Sequence, residues 1–129
     1  MYGMEIIIQA TMQEAEEKTI NALKTEGFGV LTEIDVAGVL KKKINVDRTP
    51  YKILGACNPV IANEVLDIEP DVGLLLPCNV VLREIENNKV CISLIDPEAM
   101  FTVVSNKKVA AKVTEVKDKF TRILALIEN

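Results

Sequence analysis

The chain has 129 residues, 49% hydrophobic and 26% charged, which is typical of one folded globular domain rather than of a disordered segment. Its net charge of −4 and its scarcity of aromatic residues exclude a basic or base-stacking surface, so we expect no nucleic-acid binding. The absence of histidine excludes Ser-His-Asp and Cys-His nucleophile pairs and most catalytic zinc sites.

The three cysteines do not form a C-x-x-C pair, so they predict neither a secreted disulfide framework nor a metal site. The first ten residues, MYGMEIIIQA, carry no basic leader, and no window approaches the ~18 apolar residues of a membrane span. We therefore expect one domain over residues 1–129 in a reducing cytoplasm, with no membrane partner. No repeat or linker-like composition divides it.

The first third of the chain alternates strand and helix patterns. Met4–Ala10 is rich in β-formers, and Thr11 with Glu14 three positions later forms a capping box that begins a helix. Gly27 is a natural stop for that helix. Phe28–Val36 then alternates as a strand, with Val30, Thr32 and Ile34 expected on one face.

The middle of the chain repeats this alternation. Ala37–Lys43 predicts a short helix whose lysine-rich end suits the negative pole of the helix dipole. Tyr51–Cys57 predicts a strand. Asn58 and Pro59 then supply a favoured N-cap and first helical residue, for a helix that reaches about Leu66.

The last part predicts a hairpin and a long helix. Leu74–Ile85 reads as one strand interrupted by Pro77, and an Asn-Asn turn leads into a strand over Val90–Ile95. Asp96 begins a short helix. Lys107–Ile127 is the longest helix, with an apolar seam that we expect to pack on the chain's own sheet. These elements predict an α+β fold, with helices on one face of a mainly antiparallel sheet.

Cys57 lies at the junction between a strand and a helix, and three interpretations stay open. The first N–H groups of the helix favour a thiolate, which would make Cys57 a nucleophilic or redox residue. The same groups, with Gly55 allowing close approach, would instead hold a carboxylate or phosphate. Cys57 also shares strand parity with Tyr51 and Ile53 and is then a small buried residue.

Cys78 shares predicted strand parity with Leu74, Leu76, Val80 and Leu82, which indicates a core position. If its strand neighbours that of Cys57, a disulfide or a two-thiolate site for a soft metal becomes geometrically feasible. Cys91 is expected to be a packing residue only.

Glu33 and Asp35 stand two positions apart and are predicted to place their carboxylates side by side on one strand face. Such a pair suits proton transfer or cation binding. Solvated strand residues explain the pattern equally, and Asp35 is also placed to cap the following helix.

Four stretches in this order, EGFGVLTEIDVAGVLKKKI, PYKILGACNPVIANEVL, DVGLLLPCNVVLREI and SLIDPEAM, resemble the domain-of-unknown-function family 302 over nearly the whole chain. The resemblance implies a small α+β domain likened to the TATA-binding-protein fold, and a homodimer. The family motif A-C-N-P falls on Cys57 and Asn58, and P-C-N falls on Cys78 and Asn79. It brings no established activity and no cofactor.

The resulting hypothesis is a homodimeric cytoplasmic domain that binds a small ligand near the A-C-N-P and P-C-N motifs, with anionic ligands among the candidates. The predicted binding residues are Glu33, Asp35, Gly55, Cys57, Asn58, Cys78 and Asn79. One alternative is a redox protein in which Cys57 attacks and Cys78 resolves; another is a purely structural assembly module. The sequence does not decide whether the protein is an enzyme.

Overall fold

The computed structural model describes residues 1–129 and contains one five-stranded sheet with helices between its strands. The strands are β1 (Gly3–Gln9), β2 (Gly29–Asp35), β3 (Tyr51–Cys57), β4 (Cys78–Glu86) and β5 (Lys89–Ile95). The α-helices are α1 (Met12–Thr25), α2 (Val36–Ile44), α3 (Pro59–Ile68), α4 (Pro97–Met100) and α5 (Lys107–Glu128). Short 3-10 turns occupy residues 70–75 and 101–103. The strand order is β1-β5-β4-β3-β2, and every neighbouring pair is antiparallel, so the predicted α+β class is confirmed.

The core lies between the sheet and the helix layer. Alternate residues of the central strands, such as Val80, Leu82 and Ile92, are fully buried, because these strands turn one side toward α1 and α5. The apolar seam of α5 is buried along its length, with Phe120 at its centre. Its packing on the chain's own sheet was predicted correctly.

Helix boundaries follow the predicted caps. Thr11 and Glu14 form the complete capping box of α1, with Glu14 N–H donating to Thr11 Oγ1 at 3.1 Å. Asp96 caps α4 by accepting from the Glu98 N–H at 2.9 Å. These caps are local devices, which is why the sequence alone locates them.

Two strand predictions were wrong. β4 begins at Cys78, because residues 70–75 form a 3-10 turn that leaves Leu74 exposed rather than on a strand face with Cys78. In β2 the pairing with β3 shifts between Val30 and Thr32, so Leu31 is a bulge residue. The bulge moves Thr32 to the face opposite Val30, contrary to the alternation expected.

The sheet has one face without helices, which we call the open face. Its middle row crosses all five strands, because the register aligns Ile34, Ile53, Val81, Ser93 and Glu5. No helix of the chain combines the length and hydrophobicity that crossing a bilayer requires.

Candidate functional site

An apolar cavity lies where β3 ends and β4 begins, beneath α3 and α5. Of its 15 lining residues, 12 are hydrophobic, and both Cys57 and Cys78 are among them. The space available to water-sized molecules is about 40 Å³. One water needs roughly 10–15 Å³ of such space, so the cavity admits a few waters or a short apolar group. It is a mostly apolar concave site that borders two of the motifs that sequence analysis selected.

The polar groups of the cavity are few. Asn58 borders it at the start of α3, and Lys112 borders it from α5. The Lys112 ammonium pairs with the Glu64 carboxylate, and this hydrogen bond raises the pKa of Lys112. A cation that is held at the edge of an apolar cavity is a feature that no sequence motif indicated, because Glu64 and Lys112 belong to different helices.

Asn58 is committed to structural hydrogen bonds. Its Oδ1 accepts from the Ile61 N–H at 3.2 Å, which caps α3. Its Nδ2 donates to the Glu26 carbonyl at 3.2 Å, which ties α3 to the end of α1. Gly27, with φ of +83°, permits this contact, since a Cβ there would lie 2.9 Å from the Asn58 amide nitrogen. Asn58 therefore fixes the shape of the cavity rather than offering a free polar group.

The start of α3 offers little to an anion. Pro59 is its first residue and has no N–H, and the Ile61 N–H is taken by Asn58. The Ala62 N–H bonds to the Asn58 carbonyl. Val60 keeps an N–H without an intrachain partner in this turn, so this helix start has one backbone donor left for an anion, and its anion-holding role stays a prediction.

Burial shifts the pKa values of the two cavity thiols upward, away from those of a reactive thiol. Burial raises the pKa of Cys57, which is half-buried, and raises that of Cys78 to about 12. The proximity of Cys57 adds to the increase at Cys78, because two thiolates would repel each other. A lowered pKa favours a nucleophilic thiol, and burial acts in the opposite direction on both residues. The redox role of the pair stays a prediction.

The strands that carry Cys57 and Cys78 are neighbours, as the disulfide hypothesis required. The register, however, places Ala56 opposite Cys78, and Cys57 opposite Gly29. The two thiols are therefore offset rather than paired across the ladder, and all three cysteines are free. No group of three or more potential ligand side chains is placed to hold a metal ion.

Gly55 lies where three of the four family-like stretches of the sequence meet. A Cβ at this position would collide with Thr32 Oγ1 and would lie 2.8 Å from Cγ of Pro77. The glycine therefore lets Thr32 of the T-E-I-D stretch and Pro77 of the P-C-N stretch pack against the A-C-N-P strand. The space beside Gly55 is filled by these two side chains, and its role in admitting a ligand stays a prediction.

Glu33 and Asp35 lie on the same side of β2 but bind different partners. Lys52 bridges two carboxylates, with its Nζ at 2.5 Å from Glu33 and 2.9 Å from Glu16 of α1. The hydrogen bond to Glu33, followed in size by the hydrogen bond to Glu16, raises the pKa of Lys52. Asp35 caps α2 by accepting from the Gly38 N–H at 3.0 Å. Asp35 borders a polar groove away from the cysteines, and Glu33 adjoins it through Lys52. The capping interpretation of Asp35 is the one observed.

The seven-position hypothesis therefore separates into two groups. Cys57, Asn58 and Cys78 border the apolar cavity. Glu33, Asp35 and Gly55 serve ion pairing, capping and packing, and Asn79 is exposed on the open face opposite Gly55. Three of the seven predicted residues thus lie at one cavity, whereas the apolar wall that α5 contributes and the lysine at its edge were not predicted.

The geometry defines an antiparallel α+β domain with a small apolar cavity at the end of its sheet. The family model described as "Domain of unknown function DUF302" matches residues 4–127, so the chain belongs to this family. Its fold is similar to the crystal structure of the uncharacterized conserved protein DUF302 from Bacillus stearothermophilus, with a TM-score of 0.90 and 28% sequence identity. That alignment covers 98% of each chain. No curated protein matches the chain. The likeness to the TATA-binding-protein fold stays a prediction.

Proposed function

We propose that the domain binds a small amphipathic ligand, with a short apolar tail in the cavity and an acidic head that takes the place of the Glu64 carboxylate at Lys112. The observation that carries this proposal is an apolar cavity with a lysine at its edge. The ligand is the small, anionic molecule expected near the cysteine motifs, but its charge is met by Lys112 rather than by the start of α3. A cytoplasmic location is part of the same proposal.

The size of the cavity limits the length of the ligand's apolar tail. Each methylene that leaves water for an apolar site contributes about 0.8 kcal/mol, which corresponds to roughly a fourfold gain in affinity. In a series of straight-chain carboxylates from butanoate to decanoate, affinity should rise by this factor per carbon and then level off. The chain length at the plateau measures the depth of the cavity.

The assay is isothermal titration calorimetry with this series and with alcohols of the same chain lengths. Lys112→Met keeps the length of the side chain and removes its charge, so carboxylates should bind about tenfold more weakly while alcohols are unaffected. Lys108→Met, at an exposed position of the same helix outside the cavity, is the matched control. Ala62→Leu, which fills the cavity, should abolish binding of both series with the fold retained by circular dichroism.

Two results would contradict the proposal. One is the absence of saturable binding throughout both series. The other is binding that persists unchanged in Ala62→Leu, because the ligand would then lie elsewhere on the protein.

A further inference from the structure

Two short turns present the most exposed large apolar side chains of the folded chain. Leu74, in the 3-10 turn at residues 70–75, is 88% exposed, and Val103, in the turn at residues 101–103, is 75% exposed. Beyond the first two residues of the chain, no other large hydrophobic side chain is as exposed as either. Single exposed apolar residues are ordinary, whereas a contiguous apolar surface marks an interaction site. The meaning of these two residues therefore depends on whether they share one surface.

Leu74 and Val103 line the same surface groove, which lies between residues 69–75 and 103–105 and which we call the turn groove. Five of its eight lining residues are hydrophobic, and the space that it offers to water-sized molecules is about 360 Å³. None of the lining residues borders the apolar cavity. The two exposed side chains therefore belong to one apolar surface, which is separate from the proposed ligand site.

The chain on both sides of the turn groove is anchored to the rest of the protein. Leu75 and Val104, which directly follow the two exposed residues, pack against the hydrophobic core. The Asn106 amide donates to the Glu69 carboxylate at 3.5 Å, which links the segment before the first turn to the segment after the second. A partner would therefore bind to a surface that is already formed, without the cost of ordering the backbone.

The charged residues along this surface are all acidic. Glu69 and Asp71 line the turn groove, and neither belongs to any salt bridge of the chain. Val104 also lines a second depression, of about 250 Å³, whose only charged lining residue is Glu98. No lysine or arginine lines either depression, and the two lysines that begin α5 lie outside both. The electrostatic complement of this surface is therefore a cation.

The combination of exposed apolar side chains and free carboxylates selects among the possible occupants. An anionic membrane surface or a nucleic acid would be repelled by Glu69 and Asp71. A neutral apolar molecule would leave both carboxylates without a partner. A peptide segment with lysine or arginine beside a large apolar side chain meets both features at once, since short recognition segments place apolar anchors in a groove and charged residues at its rim.

We propose that the turn groove docks a cationic peptide segment of another protein. A large apolar side chain of the segment packs on Leu74 and Val103, and its lysine or arginine side chains pair with Glu69 and Asp71. Burial of one leucine-sized side chain contributes roughly tenfold to a hundredfold in affinity, whereas an exposed ion pair contributes about fivefold or less. The apolar contact thus provides most of the affinity, and the carboxylates provide the preference for cationic segments. The inference does not rest on the ligand proposed for the apolar cavity.

The test begins with a phage-displayed library of random short peptides selected on the wild-type chain. Enriched peptides should combine a large apolar residue with lysines or arginines. The consensus peptide is synthesised with a fluorescent label and titrated by fluorescence anisotropy. The double variant Leu74→Ser/Val103→Ser should bind it at least about tenfold more weakly. Val60→Ser/Leu126→Ser is the matched control, because these native side chains are 68% and 51% exposed outside the groove, and it should bind the peptide as the wild type does.

A second pair of variants tests the charges independently of the apolar contact. Glu69→Gln/Asp71→Asn keeps the side-chain oxygens and removes both charges. The consensus peptide should then bind about tenfold more weakly, and its affinity should depend less on salt concentration. Asp118→Asn/Glu128→Gln, at exposed positions of α5, removes the same number of charges elsewhere and should leave the affinity unchanged.

Three results would overturn the proposal. The first is a selection that enriches no peptide over an uncoated surface. The second is a consensus peptide that binds Leu74→Ser/Val103→Ser as tightly as the wild type, or whose affinity and salt dependence are the same in Glu69→Gln/Asp71→Asn. The third is cosedimentation with phosphatidylglycerol vesicles that is lost in Leu74→Ser/Val103→Ser, because the occupant would then be a lipid surface. Circular dichroism verifies that each variant keeps the fold, as expected for exposed side chains.

Discussion

Asn58 offers a direct way to separate structure from ligand recognition at the A-C-N-P motif. Its side chain caps α3 through Ile61 and also fastens that helix to the Glu26 carbonyl. Asn58→Ala removes both hydrogen bonds at once. Asp35→Ala is the matched control, because the Asp35 side chain makes a single capping bond, to Gly38 at the start of α2.

The magnitudes follow from the number of bonds lost. Loss of an N-cap costs about 1 kcal/mol, and loss of a second hydrogen bond costs about 1 kcal/mol more. Asn58→Ala should therefore lower the free energy of unfolding by about 2 kcal/mol and the Tm by roughly 8 °C, if each kcal/mol shifts Tm by ~4 °C in a domain of this size. Asp35→Ala should lower the Tm by about half as much. Asn58→Asp keeps the capping oxygen but loses the donor, so its effect should fall between the two.

Urea unfolding followed by circular dichroism measures these differences at constant m-value. The structural assignment of Asn58 is refuted if Asn58→Ala is no more destabilising than Asp35→Ala. Ligand titration of the same variant completes the comparison. A loss of carboxylate binding without loss of stability would return Asn58 to the ligand-binding residues.

Three further predictions concern the surroundings of the cavity. Gly55→Ala should destabilise the fold by more than the ~1 kcal/mol typical of point mutants, because its methyl group would collide with the Thr32 hydroxyl and the Pro77 ring; an unchanged urea midpoint would contradict the packing argument. At pH 8, iodoacetamide should modify half-buried Cys57 before Cys78, whose pKa is raised to about 12, and intact-mass analysis with peptide mapping should find Cys78 modified only on unfolding. The hydrogen bond from Arg122 lowers the pKa of Glu26, so its stabilising contribution is complete above the ordinary value of 4.5 and is lost as the pH falls through the lower folded value. Glu26→Gln should accordingly reduce the Tm at pH 7 more than at pH 3; an equal loss at both would exclude the ionic contribution.

The predictable parts of this fold are those encoded within a few residues. Caps at Thr11, Asn58 and Asp96 are recognised from adjacent side chains, and the long apolar seam of α5 fixes its buried side. The predicted start of β4 was wrong because a run of leucines is compatible with both a β-strand and a 3-10 helix. Leu74 then points to solvent, which no local pattern indicates.

The candidate site was predictable in position but not in chemistry. Cys57 and Cys78 both lie at the end of the sheet where the cavity is found, because strands β3 and β4 are neighbours. Whether a thiol there is activated depends on burial, and α5, which begins only at Lys107, forms one wall of that cavity. The same long-range packing brings Lys112 to the edge of the cavity. On the other side of the sheet, a single bulge at Leu31 decides which side chains of β2 lie on the open face.

The pairing of β1 with β5 has a consequence for how the chain folds during synthesis. Glu5 and Cys91, which meet across this ladder, are 86 positions apart. At translation rates of about 5–20 residues per second, β1 waits roughly 4–17 s for its only sheet neighbour to be made. During that interval the isoleucine-rich β1 presents both edges of its backbone unpaired, which exposes it to pairing with other chains.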